Sequence, residues 1–438
     1  MRPEFARRGI GTAILSALVS EARRWGLPSV HCKSSLCAET FYAHAGFESG
    51  EKYEHRFRDG REIDCVAMTK KLTRLRNFSP EEPLADTQDL AFLQKLAQKV
   101  IAECKTTIRM DGEIYPVYMA SGSRQYPAFW TRDAVLIAVS GLLTAGDIEP
   151  MIEVLALTQN TSETRKLKND LEVPPWAVAD HVLCEDGGAV FFPGTYSASD
   201  DQGNGRYGMR AAQDAGYMFI ELAYLRFRRS TDISMFEREY AGVDLLGRLE
   251  HAFASPEIDP ETELAFTTSE TRSVAFSDAI VKTGFLLYGS LLRWRAARRL
   301  ASILSAMGMS DRSAGYRRTA QTIATNLPRK LWHATGPDRG WLSSASGIGR
   351  QDCVRGTSFA LALGILGREH SEHALRAMAA ATAPPVLDAI PAIGQITYHA
   401  HVRHLRNGEY WRGTPMRTDC YQKGAYWGMF TGWFVRGL

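Results

Sequence analysis

The sequence predicts a mainly α protein, a barrel or toroid of helical hairpins preceded by a small α/β segment. Three observations carry that expectation. From about residue 90 onward, apolar residues recur at three- and four-residue spacing, the signature of helices with one face in a core. These stretches pair off, with short turns on one side and long Gly-, Pro- and aromatic-rich loops on the other. Before residue 74 the pattern mixes helix and strand, and the polar, proline-containing stretch TRLRNFSPEEPLADTQD that follows cannot pack as an element. The expected organisation is therefore a segment 1–73, a linker 74–88 and a helical domain 89–438.

Composition narrows the function classes. A chain of 438 residues, 45% hydrophobic and 23% charged, can bury at least one large core, which excludes disorder, collagen-like repetition and a coiled coil. With 52 Lys+Arg against 49 Asp+Glu, the formal charge is only +3 and no block of five like charges occurs. Neither nucleic acid nor an anionic membrane is expected as a partner, and the substrate is not expected to be a polyanion. The seven cysteines are odd in number and contain no CxxC pair, which argues against a disulfide framework or a thiolate zinc site. The start MRPEFARRGI has no apolar signal region, and the longest apolar stretch, near 134–143, is about half the ~18 residues of a membrane span. A cytoplasmic location is expected.

In the first segment the pattern predicts a helix over 11–24, a strand over 29–33, a helix over 38–45, and two strands, 51–58 and 62–69, around the turn Asp59-Gly60. Gly9 and Gly11, followed by Thr12, lead directly into the first helix. Glycines there let the backbone approach a ligand, and the positive end of the helix dipole suits a pyrophosphate. The same run reads equally well as a plain loop turn. Together with the flanking PEFARRGIGTAIL, the run Phe41-Tyr42-Ala43-His44-Ala45-Gly46-Phe47 and the hairpin ending Met68-Thr69-Lys70-Lys71-Leu72, residues 1–73 resemble the second half of a GNAT-type N-acetyltransferase. That resemblance implies acetyl-CoA phosphates at Gly9, Gly11 and Thr12, with Tyr42 where the family often has a general acid for the CoA thiolate. Ala6 departs from the Arg or Gln that commonly starts the family's loop. The family's first three strands and splayed fourth strand are also missing, so the remaining strands would expose an unpaired edge and an uncovered apolar face. Acetyl transfer is not expected, and the segment reads as a remnant.

Beyond the linker, helices are expected at 90–101, 134–143, 151–157, 211–227, 279–304, 358–366 and 424–435, separated by loops at 112–131, 184–208, 255–277 and 384–423. Loops longer than ~12 to 15 residues in a compact domain are usually functional. The run Tyr126-Pro127-Ala128-Phe129-Trp130-Thr131-Arg132-Asp133 delivers an Arg-Asp pair at a helix start. Asp133 there is either a helix cap or, with Trp130 and Arg132, part of a sugar site in which aromatic faces cover a pyranose and charged groups bind its hydroxyls. Trp176 follows two prolines, with Asp180-His181 and the run FFPGTY beyond it. The loop Asp200-Asp201-Gln202-Gly203-Asn204-Gly205 looks like a calcium loop but has Ala211 at the twelfth position, where an EF-hand needs Glu. It is either a solvated turn or a source of active-site carboxylates. Acids ahead of helices recur at Asp133, Asp214, Asp278 and Asp352, which as a set implies a shared rim. His399, His401 and His404 lack a nearby carboxylate, so no metal site is expected, and there is no GxSxG, HExxH or Walker loop.

Taken together, YPAFWTRD, FFPGTY, SDAIVKTG and YQKGAYWG resemble six-hairpin (α/α)6 glycosidases, the group that holds glucoamylases, trehalases and glycogen-debranching glucosidases. The resemblance spans about 90–438. It implies a carbohydrate-binding cleft lined by Trp130, Arg132, Asp133, Trp176, Trp411, Gln422, Tyr426 and Trp427, glycoside hydrolysis by two carboxylates, and no cofactor. In inverting members these carboxyls lie ~6.5 to 9.5 Å apart, with a water between base and sugar. Position along the barrel nominates Asp278 as general acid and Asp352 as general base, with Asp201, Asp214 and Glu270 as substitutes. Two features depart from the group: the late acids Glu409 and Asp419 have no decisive context, and Lys423 stands where a neutral Asn beside Gln422 is expected. A rival reading is a working acetyl-CoA-dependent transferase fused to a noncatalytic sugar-binding toroid. A third, a helical scaffold, predicts aromatics spread over the outer surface.

Overall fold

The computed structural model describes residues 29–56, 61–72, 87–122, 126–203, 207–275 and 280–381, together with helical positions 11, 12, 14, 15, 18, 19, 22, 432, 433 and 436. Two compact units divide the described chain between Phe92 and Leu93. The linker expected at 74–88 falls almost wholly on residues outside the described set.

The first unit is a small α/β layer. Strand β1 (Ser29–Ser35) runs into a 3-10 turn at Leu36–Ala38 and helix α1 (Glu39–His44), followed by the hairpin β2 (Glu48–Arg56) and β3 (Glu62–Lys71). The sheet order is β1-β3-β2, antiparallel throughout. β3 holds the centre because it carries the apolar residues Cys65, Val66 and Met68, all buried. Leu15, Val19 and Ala22, at helical spacing, pack with Phe47, Val66, Met68 and Leu72 into one small core. Among the described residues, the outer strands β1 and β2 each keep one unpaired ladder edge.

The second unit is mainly helical. Helix α2 (Thr87–Cys104) leads into a hairpin of β4 (Lys105–Met110) and β5 (Glu113–Tyr118). Asp111 and Gly112 turn it with φ of 52° and 85°, the twist two-residue hairpins favour. After β6 (Ala128–Trp130) come four helical hairpins: α3 (Thr131–Val139) with α4 (Ala145–Thr158), α5 (Ala215–Ser230) with α6 (Leu245–Ala254), α7 (Leu287–Ala306) with α8 (Ser310–Leu331), and α9 (Val354–Leu363) with α10 (Arg368–Ala381). β6 pairs with β7 (His181–Leu183), which pairs with β8 (Ala189–Val190); a second hairpin, β9 (Trp332–Gly336) and β10 (Arg339–Leu342), precedes α9.

The first helices of the hairpins form a row in which α3 packs on α5, α5 on α7 and α7 on α9. Burial explains the order. From Ala215 to Ala223 every residue of α5 is buried, so this helix is covered on all sides, whereas α8 buries mainly the spaced positions Ser313, Ala320, Ile323, Leu327 and Leu331. Close approach needs small residues: a Cβ on Gly216 would lie 2.6 Å from the Ala252 carbonyl of α6, and one on Gly356 would lie 2.2 Å from Leu287 of α7. Local signals fix the ends. Thr144 and Asp147 form a reciprocal capping box on α4, and Asp244 accepts from the Gly247 amide at 2.6 Å on α6.

Short connections follow the first helix of three of the hairpins, at 140–144, 307–309 and 364–367, and long segments at 159–214, 255–286 and 332–353 precede the next hairpin. This is the alternation expected from the sequence. Four hairpins are described; closure into a ring of six bears on residues 382–431, which lie outside the described set. Among the described residues, no helix is long and apolar enough to cross a membrane.

Candidate functional site

Because the row helices are all entered from the long-loop side, their N-termini meet there. Arg132, the second residue of α3, donates from Nε to Asp214 Oδ2 at 2.5 Å and from Nη2 to Asp214 Oδ1 at 3.0 Å. Its Nη2 also lies 2.8 Å from Asp180 Oδ1. Asp214 precedes α5 without capping it, because its carboxylate is committed to Arg132. Asp180 Oδ2 accepts from His181 Nδ1 at 2.9 Å, and His181 Nε2 lies 2.8 Å from the Thr195 carbonyl. At the starts of α7 and α9, the Arg355 guanidinium sits 4.9 Å over the Tyr288 ring. A small cavity there is lined by Ser273, Val274, Leu287, Tyr288, Cys353 and Arg355.

Aromatics flank this charge ladder. The Trp130 indole stacks on His181, centroids 4.0 Å apart and planes 19° apart. Tyr126 and Tyr196 meet the indole edge-on at 6.3 and 6.1 Å, and both are exposed. Trp130 Nε1 is buried with no hydrogen-bond partner among the described residues. A donor in that condition costs free energy until an acceptor reaches it.

The acids differ in their environments. Burial pushes the Asp180 carboxyl up, but Arg132 and His181 outweigh it and hold the group below its ordinary range. Asp133 goes the other way: burial raises it to about 6, Arg132 pulls it down only in part, and the Asp180 charge adds to the rise. The cap alternative for Asp133 does not hold. Trp130 is the residue that precedes the helix, and Asp133 is its third residue.

The structure thus brings together Trp130, Arg132, Asp133 and Asp214. Asp352 lies on the residue before the Cys353 cap of α9 and accepts from His333 Nδ1 at 2.7 Å. Asp201 is exposed and held low by the Ser199 hydroxyl; Glu270 is exposed and held low by Thr268. Trp176, with φ of 59°, stacks on His251 at 4.3 Å and 10°, apart from the Trp130 stack. Asp278, Trp411, Gln422, Tyr426 and Trp427 lie outside the described residues, as do Glu409, Asp419, Lys423 and the three histidines near 400. Sequence reasoning gave no role to Asp180, His181, Tyr196, Tyr288 or Arg355. The adjacent Asp180-His181 pair and the Tyr of FFPGTY were visible signals, whereas nothing local marked Tyr288 or Arg355.

In the first unit, Gly9 lies outside the described residues and Thr12 is exposed. Gly11 faces Phe41, whose ring atoms would stand 3.3 Å from a Cβ on it. Tyr42 packs edge-on against Phe41 and Phe47, and burial raises its hydroxyl. Among the described residues, no group of three His, Cys, Asp or Glu could hold a metal ion.

No known protein family's profile matches the chain, and no curated protein matches it. Among solved structures, the chain is similar to a GH78 family rhamnosidase of Bacillus sp. GL1, at 12% identity and a TM-score of 0.39, covering 74% of this chain and 29% of that one. It is also similar to a bacterial glucoamylase complexed with acarbose, at 11% identity and a TM-score of 0.34, covering 67% and 40%. The chain spans less than half the length of either.

Proposed function

We propose that this protein is a glycoside hydrolase acting on an oligosaccharide or glycoside, and that its acetyltransferase-like segment is an inactive remnant. The observation that carries the reading is the Trp130 indole stacked on His181, whose partner Asp180 is paired with Arg132, at the N-terminal end of α3. An indole backed by His181 whose buried N–H lacks an acceptor among the described residues, with charged hydrogen-bonding groups and solvent-open tyrosines nearby, suits a polyhydroxylated ring. Trp176, Trp411, Gln422, Tyr426 and Trp427 are proposed as further subsite residues.

In the proposed chemistry, Asp278 gives its proton to the glycosidic oxygen as the bond to the anomeric carbon breaks. Asp352 takes a proton from the water that attacks that carbon. Asp214 is the poorest of the substitutes, since both its oxygens are engaged by Arg132; Asp201 and Glu270 keep exposed carboxylates. A screen of nitrophenyl glycosides and disaccharides, with Asp278→Asn and Asp352→Asn as controls, tests the reading. Each substitution is expected to lower kcat by roughly 10² to 10⁴. Full activity in both variants would refute the catalytic assignment, and turnover of no glycoside would refute the hydrolase reading. Calorimetry with acetyl-CoA is expected to show no binding heat.

A further inference from the structure

We propose that two copies of this chain pair through β2 (Glu48–Arg56), edge to edge and antiparallel, about a twofold axis at Tyr53. Three observations lead there. In the sheet order β1-β3-β2, β2 gives one ladder edge to β3 and, among the described residues, leaves the other unpaired. Every residue of the strand is exposed except the half-buried Tyr53, so a neighbour can reach that edge. The side chains of Lys52 and Glu54 enter no hydrogen bond or ion pair among the described residues. Glu54 moreover stands directly opposite Asp64 on β3, two exposed acids with no cation paired to either in the described chain. Like charges so placed weaken a sheet.

The charges select both the occupant and the register. In an antiparallel ladder, opposite side chains share a face, and neighbours along one strand alternate between faces. A twofold-related pair must therefore centre on a residue and never between two. With Tyr53 at the centre, Lys52 of each copy faces Glu54 of the other, and Glu51 faces His55 one step further out. Each Lys52 thus brings a cation to the Glu54 and Asp64 pair of the second copy. Moving the centre by one residue sets Lys52 against Lys52 or Glu54 against Glu54, so the pattern fits one register.

The central tyrosine does not obstruct the approach. Lys33 Nζ of β1 lies 5.2 Å over its ring, and β1 is on the far side of β3, so the ring leans away from the unpaired edge. The bulge between Ser49 and Lys52 stops the ladder from running further, which keeps the pairing short and reversible. Because the same edge serves both copies, the contact closes at two. The first unit thereby gains a role in assembly that needs neither acetyl-CoA nor the hydrolase reading.

The test is sedimentation equilibrium of the full chain in low salt, from about 1 µM to about 300 µM, the range in which so short a contact dissociates. The wild type is expected to pass from one chain to two. Lys52→Glu and Glu54→Lys each set like charges opposite one another at two places and should raise Kd by roughly tenfold or more. The double variant Lys52→Glu with Glu54→Lys exchanges the signs and should recover the dimer, as should an equimolar mixture of the two single variants. A wild type that stays monomeric throughout would overturn the proposal, as would a dimer indifferent to the single reversals or a double variant as weak as the singles. Should a variant fail to fold, salt decides with the wild type: the dimer must weaken as salt rises to about 1 M, where exposed charges are screened. A dimer that salt leaves unchanged would sink the charge-matched register.

Discussion

Replacing Asp133 by Asn isolates one electrostatic cost. In the folded protein burial lifts this carboxyl from 3.8 to about 6, because Arg132 already serves Asp180 and Asp214 and offsets only part of the lost hydration. Native Asp133 therefore keeps a proton that the unfolded chain releases between about pH 4 and pH 6, and stability declines as pH rises through that window. At roughly 1.4 kcal/mol per pH unit the full cost above pH 6 is about 3 kcal/mol. Asparagine carries no charge and escapes it. Urea unfolding followed by tryptophan fluorescence should find Asp133→Asn more stable than the wild type by up to about 3 kcal/mol near pH 7.5 and equal to it near pH 4. An equal gain at both pH values would mean that packing, not charge, is responsible. No gain near pH 7.5 would refute the desolvation argument outright. If Asp133 binds sugar as proposed, the same variant should lose carbohydrate affinity while gaining stability, the usual exchange at a functional site.

Three further outcomes follow from the packing. Arg132→Ala strands the buried Asp180 and Asp214 and should cost about 3 to 5 kcal/mol in denaturant unfolding, with Arg132→Lys recovering little because an ammonium cannot make the bidentate contact. Glu221, buried between Arg295 and Arg299, is pushed up by burial but held lower overall by the two guanidiniums. Its contribution is present above the unfolded pKa and lost as pH falls through the folded one, so the deficit of Glu221→Gln at pH 7 should shrink in acid unfolding experiments. Gly216→Ala would gain about 1 kcal/mol of helix propensity but put a Cβ 2.6 Å from the Ala252 carbonyl, so thermal unfolding should show a net loss of about 1 to 2 kcal/mol as α5 and α6 part.

Legibility in the sequence tracked local pattern. The strands around Asp59-Gly60 and the helix at 39–44 were readable because alternation and helical spacing are properties of a few consecutive residues. Helices α4, α5 and α7 were readable for the same reason. Helices α6, α8 and α10 were not foreseen. α8 is rich in Arg, Thr and Asn, and buries a narrow stripe that becomes meaningful only once α7 lies beside it. The hairpin β4–β5 was hidden at the edge of a presumed loop, since Pro116 and a short alternation weaken the strand signal.

At the site, the Trp130-Arg132-Asp133 run stood out because aromatic and charged residues rarely crowd a helix start without cause. Its partners did not. Arg132 meets Asp180 and Asp214, which stand 48 and 82 positions along the chain, and no spacing rule connects residues so far apart. The sequence by itself determined the helical and strand periods and the supply of acids near helix starts, since each depends on near neighbours. Which acid is neutralised by an arginine, which is left buried and proton-prone, and which ring lies beneath Trp130 were decided by the tertiary structure, because burial and charge pairing exist only after distant segments have packed.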